Sequence, residues 1–268
     1  MRILFVGDVV GRPGRRAVRH LLPELRARHN VDLCVVNGEN VAGGHGINER
    51  CCRELTRCGA DIVTLGNHAF DNREVYQFID KDDRVIRPLN LPPGNPGFAE
   101  VIHQHEEGAV VVVTLCGRVF MQPFDCPFRA LDDLVERHRT LRNPRFIVDF
   151  HAEATSEKSA FALYADGRVS AIIGTHTHIP TADERILPGG TAYVTDVGMT
   201  GPYHSVIGMR LDPCLKRLVQ LHPSRLEVAR EDVRLAAALI DLDPRTGSAR
   251  SIERMLVPLP PGSSSKRE

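Results

Sequence analysis

Arg2-Ile3-Leu4-Phe5-Val6-Gly7-Asp8-Val9-Val10-Gly11-Arg12-Pro13-Gly14 begins as an apolar, β-prone run over 3–6 and breaks at Gly7-Asp8. Pro13 suits the first turn of a helix, where a missing N–H costs nothing, and Val18, Leu21, Leu22 and Leu25 then recur at helical spacing. The pattern repeats downstream. A run over 32–36 ends at Asn37-Gly38-Glu39-Asn40 and precedes a helix expected over 49–58. A third run, 61–65, ends at Gly66-Asn67-His68, with a helix expected over 73–79. Strands alternating with helices predict an α/β fold, in which parallel strands form a sheet covered by helices.

The middle of the chain is less regular. Pro88, Pro92, Pro93 and Pro96 make 87–98 a loop or edge passage. Strands are expected over 109–115, over 146–150 with His151 at the end, and over 170–173 running into Gly174-Thr175-His176-Thr177-His178. Helices are expected over 129–141 and 155–164, the second with Thr155 as its N-cap. Short β segments follow at 186–187, 191–194, 206–211 and 217–221, and 233–241 reads as either strand or helix. With no repeat and no linker composition, 1–257 reads as a single domain. The stretch 258–268, PLPPGSSSKRE, has the composition of a disordered tail.

The chain has 268 residues, with 34 Lys+Arg against 34 Asp+Glu. A zero net charge provides no dominant basic field, which argues against a dedicated nucleic-acid or anionic-membrane binder. Aromatic residues are only 5% and Trp is absent, a poor endowment for stacking on bases. Neither DNA nor a membrane is expected as a partner. The Cys count is seven, an odd number without a CxxC, and several lie inside apolar runs, which fits reduced thiols. The first residues have too short an apolar run for a signal peptide, and no stretch approaches the ~20 apolar residues of a spanning helix. A cytoplasmic location is the expectation.

Ligand-type side chains fall where the apolar runs stop: Asp8, Glu39-Asn40, Asn67-His68, His151, and His176 with His178. In open α/β sheets, ligands bind in the crevice beyond the carboxyl ends of the strands. Strands delivering these residues to one edge would build a mixed oxygen and nitrogen cluster there. Asp8, Glu39, Asn40, Asn67, His151, His176 and His178 offer more donors than one ion takes, and suit two divalent ions sharing a bridging carboxylate. No thiolate is among them, which argues against a Cys-type structural zinc. Imidazole with carboxylate and amide oxygen points to iron or manganese, with zinc as an option and magnesium disfavoured. Two ions about 3.5–4 Å apart form a known clamp for in-line phosphoryl displacement. In extended backbone, residues two apart project to one side, so His176 and His178 are expected to face one site.

GDVVGRPGR at 7–15, GENVAGG at 38–44, GNHAFD at 66–71, DFHAEATSEK at 149–158 and GTHTHIPTADERILPGGTAYVTDVGMTGP at 174–202 stand in a telling order. In order and spacing they resemble the motifs of calcineurin-like metallophosphoesterases, and more closely those of the bacterial YmdB-like subfamily. The resemblance covers the chain up to about Leu221. It implies a four-layer α/β/β/α sandwich with a dinuclear centre at the carboxyl ends of the strands. It carries Asp8, Glu39, Asn40 and His178 to one ion and Glu39, Asn67, His151 and His176 to the other, with Glu39 bridging. His68 becomes the proton donor to the leaving group. The implied activity is phosphodiester hydrolysis by a metal-bridged hydroxide, with 2′,3′- and 3′,5′-cyclic nucleotides as candidate small-molecule substrates. A homo-oligomer, dimer or tetramer, is implied by the same likeness. Two positions depart from the broad superfamily: Asp8-Val9-Val10 stands where Asp-x-His is usual, and Glu39 where the bridging residue is usually Asp. Both departures are features of the YmdB-like group.

Each site residue also has a plainer reading. Asp8 could cap the following helix, Glu39-Asn40 could be turn residues, and His151 could be structural. Their coincidence at one expected edge favours the shared site. His20, His29, His138 and His222 read as solvated, as do His103 and His105. His45 and His204 lie in loops that could overhang the site. Arg12, Arg15 and Arg16 could meet a phosphate at the first helix N-terminus, although a solvated helix start is the plainer reading. Rival functions are a phosphomonoesterase or protein phosphatase with the same centre, and a metal-bearing regulatory protein with little turnover.

Overall fold

The computed structural model describes residues 1–106 and 108–262. The first expected unit is present as β1 (Arg2–Val6) and α1 (Gly11–His29). Val18, Leu21, Leu22 and Leu25 bury the inner face of α1, and Asn30 ends the helix in the left-handed region at φ 50°. Next come β2 (Leu33–Asn37), α2 (Glu49–Arg57) and β3 (Ile62–Thr64), with Asn48 capping α2 by accepting from the Cys51 N–H. The helix expected over 73–79 is a single 3-10 stretch, Arg73–Gln77, before β4 (Val85–Ile86).

The second half contains β5 (Glu100–His105), β6 (Gly108–Cys116), α3 (Pro127–Arg137), β7 (Arg145–His151), α4 (Thr155–Ala165) and β8 (Ala171–Thr175). Ala154, not Thr155, is the N-cap of α4, and it makes no side-chain bond. Short strands β9 (Arg185–Ile186), β10 (Ala192–Val194) and β11 (Gly201–Pro202) follow. The strands expected at 206–211 and 217–221 are absent: Val206 and Met209 close a turn on each other, and α5 (Leu211–Val219) follows. Two long strands, β12 (Val233–Leu242) and β13 (Ala249–Pro258), complete the described chain. Pro258 therefore closes a strand, and the Leu259 N–H donates to the Val233 carbonyl. Of the tail expected from Pro258, 263–268 lie outside the described residues.

The strands form two sheets. One has the order β11-β12-β1-β2-β3-β4, with β13 on β12, and the other β5-β6-β7-β8-β10-β9. Each contains a parallel block: β1, β2, β3 and β4 in the first, where β4 is the edge, and β6, β7, β8 and β10 in the second. Antiparallel β12 adjoins the first block at β1, and antiparallel β5 and β9 bound the second on both sides. Strand faces alternate between apolar layers, as a period of two requires. Ile3, Phe5, Leu33, Val35 and Ile62 meet Val110, Val112, Ile147, Ala171 and Ile173 between the sheets. Leu4, Val6, Cys34 and Val36 face α1 and α2, while Val111, Val113, Val148 and Ile172 face α3 and α4. The helices thus cover the outer faces of two stacked sheets. All seven Cys are free. Among the described residues, no helix is long and apolar enough to cross a membrane.

Candidate metal centre

The parallel strands β1, β2, β3, β7 and β8 end at a common edge and deliver the expected residues there. Asp149, in β7 and fully buried, ties the sheets together beneath this edge. Its Oδ2 accepts from Asn37 Nδ2 at 3.0 Å and Thr64 Oγ1 at 2.5 Å, and its Oδ1 from Thr175 Oγ1 at 2.6 Å. A buried carboxylate needs such partners. Burial raises its pKa above the usual range, while His151 and these hydroxyl and amide donors oppose the rise.

His151 is the hub of the cluster. Its Nε2 lies 3.0 Å from Glu39 Oε1, 2.9 Å from Asn67 Oδ1 and 3.0 Å from His176 Nδ1. On the other side of the cluster, His178 Nε2 lies 3.2 Å from Asn40 Nδ2 and 3.8 Å from Asp8 Oδ1, and Asn40 Nδ2 lies 3.3 Å from Glu39 Oε1. All seven expected ligands are therefore in one connected cluster. Glu39 stands between its two halves, and Glu39, His151 and His176 offer ligand atoms within 4.8 Å of one another.

The far nitrogen of each imidazole is already committed. His178 Nδ1 donates to the Ile207 carbonyl at 2.9 Å, and His176 Nε2 lies 3.1 Å from Glu153 Oε2. His151 Nδ1 donates to Thr175 Oγ1 at 2.8 Å, because that hydroxyl gives its own proton to Asp149. The near nitrogen of each ring is thus the one left to meet a metal, and an outer partner of this kind is what orients ligating histidines. Asp8 adds a second sign. Its Oδ2 accepts from the His176 N–H at 3.3 Å, but Oδ1 is wholly buried without a hydrogen-bond partner. A buried carboxylate oxygen without a donor calls for a cation. The residues fit divalent metal, by donor type and by this orphaned oxygen.

The electrostatics agree. Burial pushes Asp8 up to about 6 despite the neighbouring His178 and His151. Burial works to raise Glu39 as well, but His151 and His68 hold it below the usual carboxylate range. Burial opposes a charge on His151, yet Glu39 outweighs it and lifts the pKa to about 9. Positive charge is favoured at Nε2, a position for which proton and metal compete. Burial, then the nearby His151, lowers His176 to about 3, which keeps it neutral.

Backbone details hold the geometry. A Cβ on Gly66 would lie 2.4 Å from both Glu39 Oε2 and His151 Nε2, so only glycine lets this corner close on the cluster. His176 and His178 are not extended, as expected from sequence, but have φ of 94° and 67°. Asp196 pulls the turn into this form by accepting from Thr177 N at 3.1 Å and Oγ1 at 2.8 Å. Lys158, fully buried on α4, bonds Asp196 Oδ2 and the Thr175 carbonyl, each at 2.7 Å. Such strain in a site is held only by an over-determined surrounding.

His68 lies at the rim. Its N–H donates to Glu39 Oε2 at 3.1 Å, and its Nδ1 bonds Asp71 Oδ2 at 2.7 Å. The His45 ring stands edge-on to it, centroids 5.1 Å apart. Burial and His68 lower the His45 pKa.

Several plainer readings are settled. Asp8 does not cap α1, whose N-cap is Val10 with no side-chain bond. His204 pairs with Glu231 at 3.1 Å and is not brought to the cluster. His138 is not solvated but buried, its Nε2 bonded to Glu100 at 2.9 Å. Arg15 is half-buried, with Nε on Glu54 and Nη1 on the Val41 carbonyl. Sequence reading missed the supporting residues Asp71, Asp149, Glu153, Lys158, Thr175 and Asp196. A charge inside the apolar run RFIVDFH was a visible sign for Asp149, whereas nothing local marked Asp196.

Comparison with known proteins agrees with this geometry. A family model described as YmdB-like protein matches residues 4–255. The 2′,3′-cyclic-nucleotide 2′-phosphodiesterase of Bacillus subtilis (strain 168) is 46% identical over 257 residues, covering 96% of this chain and 97% of that protein. The crystal structure of a hypothetical protein from Thermus thermophilus aligns with a TM-score of 0.91 at 45% identity, over 97% of this chain and 100% of the other. A structure described as a novel phosphatase from Mycoplasma pneumoniae aligns with a TM-score of 0.92 at 32% identity, over 98% and 95%. The expected resemblance therefore holds across the whole motif set, and the chain belongs to the YmdB-like family.

Proposed function

We propose that this phosphoesterase is a dinuclear, metal-dependent phosphodiesterase that opens 2′,3′-cyclic nucleotides. One observation carries the reading: His151 and His178 each have the outer nitrogen hydrogen-bonded and the inner one against Glu39 and Asn67 or against Asn40 and the unpartnered Asp8 oxygen, while His176 Nδ1 lies 3.0 Å from His151 Nε2. The name of the Bacillus subtilis relative supports the substrate class. In this reading Asp8, Glu39, Asn40 and His178 hold one ion, and Glu39, Asn67, His151 and His176 the other. Iron or manganese suits these donors. Such ions, when bound, supply an activated water and neutralise charge that develops on the phosphoryl oxygens.

The protein's own groups do the rest. Glu39 Oε2 fixes the His68 backbone, and Asp71 accepts a hydrogen bond from His68 Nδ1, leaving Nε2 to give a proton to the leaving ribose oxygen. Thr175 and Asp149 lock the tautomer of His151 from below. Assays of bis(p-nitrophenyl) phosphate, p-nitrophenyl phosphate and 2′,3′-cAMP with added Mn²⁺ or Fe²⁺ test the proposal. Diester turnover above monoester turnover, lost in Glu39→Gln, is expected. A monoester preference would move the reading to a phosphatase, and no turnover in the metal-loaded protein would move it to a regulatory protein.

A further inference from the structure

Arg12, Arg15 and Arg19 follow one another at helical spacings of three and four on α1, so they share a face. That face looks across a cavity of about 460 Å³ towards the start of α2, with Arg12, Arg15, Arg19, Arg50, Glu54 and Asn72 among its lining residues. Among the described residues of this lining, Glu54 is the one carboxylate, and it is consumed internally. It bonds Arg15 Nε at 2.7 Å and Arg19 Nη2 at 2.6 Å, which holds both guanidiniums in place. Among the described residues, Arg12 and Arg50 make no ion pair or side-chain hydrogen bond to a carboxylate. In a chain whose charges cancel, this cavity carries four cations against one anion.

The cavity flanks the metal centre. Its walls at Ala42 and Gly43 belong to the loop that carries His45, whose ring meets that of His68. Asn72, another wall, follows Asp71, the partner of His68. In the phosphodiesterase reading, on which this inference rests, His68 protonates the leaving ribose oxygen. The nucleoside therefore lies on the His68 side of the phosphorus, with the cavity beyond it. Planar guanidiniums recognise phosphate by paired hydrogen bonds.

We propose that this cavity is a cationic subsite for a second phosphate on the substrate. The substrate class it selects is a nucleoside 2′,3′-cyclic phosphate that also bears a 5′-phosphate, as at the 3′ end of an RNA chain. Arg12 and Arg50 receive the 5′-phosphate, and the Arg15–Glu54–Arg19 cluster shapes the wall behind them.

The test compares kcat/KM for adenosine 2′,3′-cyclic phosphate with that for its 5′-phosphorylated form. The wild-type protein should favour the second by about tenfold or more, the scale of charge-assisted hydrogen bonds. In Arg12→Ala/Arg50→Ala that ratio should fall close to one, with melting temperature and metal content unchanged, and Arg12→Lys/Arg50→Lys should restore part of it. A wild-type ratio near one, or a ratio that survives the alanine pair, overturns the proposal. Inorganic phosphate added to the 2′,3′-cAMP assay separates the two sources of the anion. A ratio near one together with activation or inhibition by free phosphate that the alanine pair abolishes would assign the cavity to a free anion instead. If neither diester is turned over, the phosphodiesterase reading fails by itself. Calorimetry with adenosine 3′,5′-bisphosphate against 3′-AMP then still decides the subsite: tighter wild-type binding of the bisphosphate, lost in the alanine pair, supports it, and equal binding refutes it.

Discussion

Single atoms decide what the cluster can do. Thr175 Oγ1 stands between His151 Nδ1 and Asp149 Oδ1, and this link fixes which ring nitrogen of His151 faces Glu39. Thr175→Val keeps the shape and removes that link. Metal affinity, read by competition with a chelator, should fall about 10–100-fold, the usual cost of losing such an outer partner. An unchanged affinity would show that the tautomer is set elsewhere. Asp183 serves a different purpose, accepting from Thr181 Oγ1, Thr195 N and Thr195 Oγ1. Burial works to raise its pKa, but these hydrogen bonds win and hold it below its usual 3.8. A carboxyl so lowered stabilises the fold above its unfolded value, and that contribution fades as pH falls through the lower native value. Asp183→Asn should therefore melt below wild type at neutral pH, with the gap narrowing below about pH 4. A gap that widens in acid would contradict this assignment. All seven residues of the cluster could be picked out in the sequence because each stands at the end of a strand-like run. Asp149 and Asp196 were not singled out, since their partners come from elements distant in the chain.

At the scale of elements, α4 shows how a helix can serve a site it does not line. Lys158 reaches from its buried face to Asp196 and the end of β8, and Glu157 accepts from the Arg118 and Val119 N–H groups. The sequence reading saw only a helix start in Thr155-Ser156-Glu157-Lys158. Lys158→Met leaves Asp196 buried without its counter-charge, and about 3–5 kcal/mol of stability should be lost in chemical denaturation. A loss below about 1 kcal/mol would mean that the Thr177 and Gly198 donors satisfy Asp196 without it. Other elements were misread for identifiable reasons. Leu211, Leu215 and Leu218 recur at helical spacing, but the short apolar clusters around them resemble strand fragments. β13 escaped notice because Arg250, Glu253 and Arg254 interrupt its apolar pattern, and its order comes from pairing with β12. Propensity is overridden where a partner strand supplies the hydrogen bonds.

For the whole molecule, the stacking of two sheets is what makes the centre. Asp8, Glu39, Asn40 and Asn67 come from the first sheet, and His151, His176 and His178 from the second. Oxygen donors on one sheet and imidazoles on the other meet only where the parallel strands of both end at one edge. Repeating β and α units made the parallel blocks legible. The division into two sheets came only with the resemblance, because periodicity says which face is buried but not against what. The central claim is a centre for two ions assembled across that junction. Metal analysis of the purified protein loaded with Mn²⁺ or Fe²⁺, alongside Asp8→Ala and Asn67→Ala, tests it most directly. About two ions per chain, falling to about one or fewer in either variant, is the predicted result, as expected when a ligand of each ion is removed. One ion or none in the wild-type protein, or two retained in both variants, would contradict it.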